Sequence, residues 1–121
     1  MQYTHLGQTG VQIPKVCLGT MTFGNGADEK ASFLIMDYAK DIGINFFDTA
    51  DLYGNGLAEE ILGRWLRGKR DQIVLASKVH FPTGDGVNDR GSSRRHIIKA
   101  VEKSETLEYG PPGYPLSPSL G

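Results

Sequence analysis

Three short apolar runs, each followed by apolar residues at helical spacing, predict an α/β fold with parallel strands. The runs are KVCLG at 15–19, INFF at 44–47 and QIVLAS at 72–77. None alternates apolar with polar residues, as a half-solvated antiparallel strand would. Strands covered by helices on both faces read this way. Strand and helix alternate three times within 121 residues, enough for one small domain with a modest core.

Each element has a local reason. The opening MQYTHLGQTGVQIP alternates imperfectly around a Gly7–Gly10 turn and reads as a β-hairpin. After the first apolar run, Asp28 stands where a helix cap belongs. The stripe behind it is Ala31, Leu34, Ile35, Tyr38, Ala39 and Ile42, and Gly43 is the expected stop. INFF is the second strand. Leu57, Ala58, Ile61, Leu62, Trp65 and Leu66 then form a second stripe, closed by Gly68. QIVLAS is the third strand. A polar loop, HFPTGDGVNDRG, leads to Ser92 or Ser93 as the cap of a third helix, with Ile97, Ile98 and Val101 on its inner side.

Composition narrows the class. The formal charge is −1 and no Lys/Arg cluster is present, which argues against a nucleic-acid binder. A single cysteine, Cys17, excludes an internal disulfide and suits a reducing, cytoplasmic compartment. The chain does not open on a signal-peptide pattern. No apolar run approaches the roughly 20 residues of a membrane helix. Cys17 falls in the first strand, where burial is expected. His5, His80 and His96 lack metal-ligand spacing and are expected at the surface or in loops. TGDGVND lacks the acid spacing and terminal glutamate of a calcium loop, so no metal is expected.

Two parallel architectures compete. A dinucleotide-binding Rossmann unit should carry Gly-x-Gly-x-x-Gly at its first strand–helix turn, and no window of this chain does. A (β/α)₈ TIM barrel needs no such turn and places its chemistry at the carboxyl ends of its strands. The notable residues lie at those ends. INFF stops at Asp48, QIVLAS leads into Lys78, and Tyr53 follows Asp48 by five residues. The prediction is the N-terminal portion of such a barrel, an N-terminal hairpin followed by about three β/α units, since a whole barrel takes about 250 residues.

Acid, amine and phenol have plainer roles one at a time: a helix cap, a snorkelling cation, a ring covering a helix. Together they make a specific tool. A phenol has an ordinary pKa near 10. An adjacent ammonium favours its phenolate, and a carboxylate keeps that ammonium charged and in place. Such a phenol can protonate a carbonyl oxygen while a cofactor delivers hydride to the carbon. A Schiff base on Lys78, as in aldolase-type barrels, is the alternative chemistry.

The stretches LGTMTFG, NFFDTADLYGNGLAEEILGRWL, VLASKV and SRRHIIKAVEKS resemble the aldo-keto reductase family, in order and with family-like spacing, over about residues 2–104. The resemblance implies a barrel plugged by the N-terminal hairpin and NADPH-dependent reduction of aldehydes or ketones to alcohols, without a metal. It matches Asp48, Tyr53 and Lys78 to the catalytic residues. Gly19, Thr20 and Met21, with Asp48, match positions at the nicotinamide end of the cofactor cleft. The implied partner is a small-molecule carbonyl substrate. Barrels of this family also serve as nicotinamide-binding regulatory subunits, the second reading.

After Ser104 the resemblance ends in ETLEYGPPGYPLSPSLG, whose prolines forbid a regular helix and whose composition reads as a disordered tail over 105–121. A partial barrel exposes strand edges, so the expected chain is a truncated fragment with little activity that self-associates through them. Read one base out of register, codons for Glu105 to Leu116 permit Lys-Arg-Leu-Asn-Thr-Asp-His-Leu-Asp-Ile-Leu-Tyr, which resembles the family's helix end and fourth strand. Three codons further on, Ser119 permits the histidine that the family uses to orient a carbonyl. A frameshift near Ser104 is therefore expected. A nucleotide read of codons 100–121, from genome and transcript, should yield these residues in the shifted frame; a shifted frame without them overturns the idea.

Overall fold

The computed structural model describes residues 1–109, with side chains through residue 105. The N-terminal alternation forms an antiparallel hairpin, β1 (Tyr3–His5) and β2 (Gln12–Pro14), in the register Thr4 opposite Ile13. The Tyr3 hydroxyl donates to the Gly43 carbonyl at 2.7 Å, and Asn45 Nδ2 donates to the Gln12 carbonyl at 3.3 Å. Residues 43–45 precede the second strand of the main sheet, so the hairpin sits at that sheet's amino end.

The main sheet is parallel, in the order β3 (Leu18–Gly19), β4 (Phe46–Asp48), β5 (Val74–Ala76). Gly19 lies beside Asp48, and Asp48 beside Ala76. Helix α1 (Glu29–Asp41) joins β3 to β4, α2 (Leu57–Leu66) joins β4 to β5, and α3 (Arg94–Tyr109) follows β5. These are the three β/α units read from the sequence. Among the described residues no strand pairs with the outer edges of β3 or β5, so the sheet is an open segment and not a closed barrel.

The caps explain the helix limits. Asp28 Oδ1 accepts from the Ala31 amide at 2.8 Å, and Ser93 Oγ accepts from the His96 amide at 3.1 Å. Gly43 takes φ +95° just beyond α1, and a Cβ there would come within 2.8 Å of the Tyr3 hydroxyl. Only glycine meets both demands. α3 runs five residues past Ser104, through 105–109, because the first proline of that stretch is Pro111. The remaining tail, 110–121, lies outside the described residues.

The core gathers on the helix-covered side of the sheet. Phe47, Met36, Leu62 and Trp65 are essentially inaccessible to solvent. The Phe47 and Trp65 ring centroids lie 5.4 Å apart, and Trp65 Nε1 reaches Asp37 Oδ1 at 2.8 Å, satisfying the one polar atom of a buried indole. All of the α2 stripe is buried except Leu57.

Four expectations need correcting. α1 buries Ser32, Met36 and Ala39, while Leu34, Ile35, Tyr38 and Ile42 of the expected stripe are exposed. The inner face is turned by about one residue step of the helix, because α1 leans on α2 and the sheet and no further element covers its other side among the described residues. α3 likewise turns His96 and Ala100 inward and leaves Ile98 and Val101 exposed, since it packs against α2. His96 is therefore buried, not a surface residue. Cys17 is exposed, because the strand begins at Leu18 and lies at the sheet's edge.

The two faces of α1 separate these readings. Met36→Ala should cost about 2–5 kcal/mol, whereas Leu34→Ala should change stability by no more than about 0.5 kcal/mol. Urea unfolding of each variant measures the difference; equal losses would restore the sequence-derived stripe.

Candidate active site

Side chains alternate along a strand, so Phe47 and Asp48 must point to opposite sides of the sheet. Phe47 enters the core, and Asp48 turns to the face where Lys78 arrives from the end of β5. Lys78 Nζ donates to Asp48 Oδ2 at 2.7 Å, to the Thr49 carbonyl at 2.9 Å and to the Tyr53 hydroxyl at 3.4 Å. All three donor positions of the ammonium are thus used, and each of its protons has one acceptor. The three residues singled out in the sequence come together at the carboxyl end of the sheet, with the Lys78 and Asp48 side chains still partly exposed.

Backbone bonds hold this arrangement beyond the strands themselves. The Thr49 amide donates to the Ala76 carbonyl at 2.8 Å, and the Asp51 amide donates to the Lys78 carbonyl at 3.2 Å. Tyr53 begins a tight turn, Tyr53–Gly56, in which Gly54 and Asn55 both take left-handed conformations. Glycine or asparagine is what such positions favour. A Cβ on Gly54 would also crowd the Phe23 carbonyl at 3.2 Å.

The residues matched to the cofactor cleft divide by environment. Gly19 is exposed, with open space where a side chain would begin, and Met21 is largely exposed. Thr20 is fully buried, and its hydroxyl donates to the Asp48 carbonyl at 3.1 Å, so its side chain braces the aspartate. The open backbone at Gly19 and the exposed Met21, beside Asp48, fit the nicotinamide end of a dinucleotide. Among the described residues no group of three or more His, Cys, Asp or Glu could hold a metal ion, and no helix is long and apolar enough to cross a membrane.

Electrostatics follow the geometry. Burial works against the Lys78 charge, but the hydrogen bonds to Asp48 and Tyr53, with their charges, outweigh it and raise its pKa above the usual lysine value. Partial burial raises the Cys17 thiol, helped by the charge of Asp48 and opposed by Lys78, so Cys17 is held as a thiol.

Sequence reasoning did not find Glu59. This α2 carboxylate is buried and accepts from Ser77 Oγ and Ser104 Oγ, both at 2.8 Å, tying α2 to the residue before Lys78 and to α3. An acid spaced three and seven residues before Leu62 and Leu66 was the available signal. Thr49 acts through its carbonyl, which no side-chain pattern reveals.

The described residues form an open parallel β/α segment at whose carboxyl end Lys78, Asp48 and Tyr53 meet. The Aldo/keto reductase family model matches residues 15–108, and the chain belongs to that family. It is 46% identical to the uncharacterized oxidoreductase YrpG of Bacillus subtilis over 88% of its own length and 37% of YrpG. It is 42% identical to an Arabidopsis thaliana protein named "Probable voltage-gated potassium channel subunit beta", covering 86% of this chain and 33% of that one. A crystal structure assigned to the aldo-keto reductases, from Pseudomonas aeruginosa, superimposes with a TM-score of 0.75 at 37% identity, covering 88% of this chain and 42% of the other. The chain thus spans between a third and about two fifths of the length of these relatives.

Glu59 yields a pH test. Burial raises its pKa above 4.5, against the two serine hydrogen bonds that lower it. A folded-state pKa above the unfolded one means that stability is present below the unfolded pKa and is lost as pH rises through the folded one. Glu59→Gln removes that loss and keeps an acceptor for both serines. Its stability relative to the wild type should therefore grow as pH rises above the ordinary glutamate range in urea unfolding; a relative stability that shrinks as pH rises contradicts the buried-carboxylate account.

Proposed function

We propose that this chain carries the proton-transfer half of an NADPH-dependent oxidoreductase that reduces aldehydes or ketones to alcohols, in a cytoplasmic setting. The observation that carries the reading is the single ammonium of Lys78 shared between the Asp48 carboxylate and the Tyr53 hydroxyl. NADPH, when bound, supplies the hydride. Gly19 and Met21, with Asp48, would hold its nicotinamide end, while the buried Thr20 braces Asp48 from behind.

The chain's own residues handle the proton. Tyr53 holds it on Oη, facing the mouth of the site. As negative charge grows on a carbonyl oxygen, Tyr53 gives up that proton, and the resulting phenolate is stabilised by Lys78. Asp48 keeps Lys78 ionised, and the Thr49 carbonyl fixes its direction. The raised Lys78 pKa weighs against the aldolase-type alternative, which needs a free amine as nucleophile.

A second reading, a nicotinamide-binding regulatory module, is supported by the similarity to the protein named as a potassium channel β subunit. The site is compatible with both, because Gly19, Met21 and Asp48 would bind the cofactor whether or not Tyr53 delivers a proton. The 121 residues alone are proposed to turn over little, because the open sheet segment leaves the mouth of the site uncovered. Their free strand edges favour association between copies.

The decisive assay follows NADPH oxidation over a panel of small aldehydes and ketones, in the chain and in the product of the shifted frame. The reductase reading expects turnover in the latter, with Tyr53→Phe lowering kcat/KM by roughly 10²–10⁴-fold while NADPH binding is kept. NADPH binding without turnover of any carbonyl favours the regulatory module.

A further inference from the structure

Behind the site lies a second polar cluster that the proposed reaction does not use. His96, in the first turn of α3, is only 2% exposed, and neither of its ring nitrogens has a hydrogen-bond partner among the described residues. Asp51, on the loop between Asp48 and Tyr53, is 9% exposed, and its Oδ2 is buried and equally unpartnered. Both side chains line one cavity of about 110 Å³, together with Thr83, Asp89, Lys99 and Lys103.

The chemistry of the two groups is complementary. A neutral imidazole carries one donor and one acceptor, and an imidazolium carries two donors, whereas a carboxylate only accepts. Buried polar atoms are paired in nearly all native proteins, and a polar cavity of this size has room for a bridging water. The other charges around it already have partners or outlets. Lys99 donates to Asp89 at 3.0 Å, Glu59 takes both serines, and Lys103 reaches solvent. Burial raises the Asp51 pKa above the ordinary carboxyl value, and His96 opposes part of that rise.

We propose that Asp51 and His96 form a buried hydrogen-bonded pair across this cavity through one bridging water, and that the pair clamps the Tyr53-bearing loop onto α3. Asp51 is well placed to act at a distance. Its amide holds the Lys78 carbonyl, and Tyr53 follows two residues later, its amide donating to the Ala50 carbonyl at 3.3 Å. His96 is thus a positioning residue: it is not among the residues proposed to hold the cofactor or transfer the proton, and it sets where Lys78 and Tyr53 meet. The significance of that meeting rests on the reductase reading; the pair itself does not.

Hydrogen exchange read by mass spectrometry tests the pair in the intact chain without cofactor or substrate, so failure of the reductase reading leaves the result unaffected. In His96→Ala, amides of residues 49–53 should exchange about tenfold faster, while those around Phe47 and Met36 keep their protection. His96→Gln, which offers both a donor and an acceptor, should restore much of the loop's protection. Asp51→Ala should match His96→Ala, and the double variant should show no further loss, since the two residues act as one unit. Loop protection unchanged in either single variant overturns the clamp, as does additive loss in the double variant. Should His96→Ala lose protection throughout the chain, Asp51→Ala decides: loss confined to the loop supports the clamp, and unchanged or global loss overturns it.

Discussion

Alternation along β4 is the constraint on which the rest of this structure depends. A strand sends successive side chains to opposite faces, so Phe47 in the core obliges Asp48 to face the site. Phe47 is anchored by Trp65 and the α2 stripe, and its burial therefore fixes the aim of the aspartate. Parallel pairing does the rest. Asp48 sits level with Gly19 on one side and Ala76 on the other, so the residues following each strand emerge at one end of the sheet. A slip of one residue in this register would exchange core and site faces.

The Lys78–Asp48 ion pair would be a poor foundation by itself. Both side chains are partly exposed, and exposed pairs contribute little because water and salt screen them. The geometry is kept instead by the uncharged surroundings. The Thr49 carbonyl takes one lysine proton, Thr20 grips the Asp48 carbonyl, and the ladder between residues 49–51 and 76–78 continues past the strand ends. Deeper down, Glu59 ties the residue before Lys78 to both neighbouring helices. The chemistry lies at the surface, and the bonds that orient it lie beneath.

Family membership gives this chain a barrel segment, and fold by itself does not assign a reaction. Relatives named as oxidoreductases and relatives named as channel subunits are similar to the same stretch of it. What distinguishes the two readings chemically is whether the Tyr53 proton is delivered to a substrate.

Sequence by itself determined the element order, the parallel sheet, the caps at Asp28 and at Ser92 or Ser93, the stops at Gly43 and Gly68, and the nearness of Asp48, Lys78 and Tyr53. All of these depend on local chemistry or on strand ends brought level by consecutive parallel pairing. Only the tertiary structure decided which helix faces turn inward. Leu34 and Tyr38 are apolar yet exposed, and Ser32 and His96 are polar yet buried, because a helix buries the side its neighbours cover and not the side its composition favours. The same reason hid Glu59, Asp51 and His96. Each gains its partner or its cavity from a different element, and such encounters leave no periodic trace along the chain.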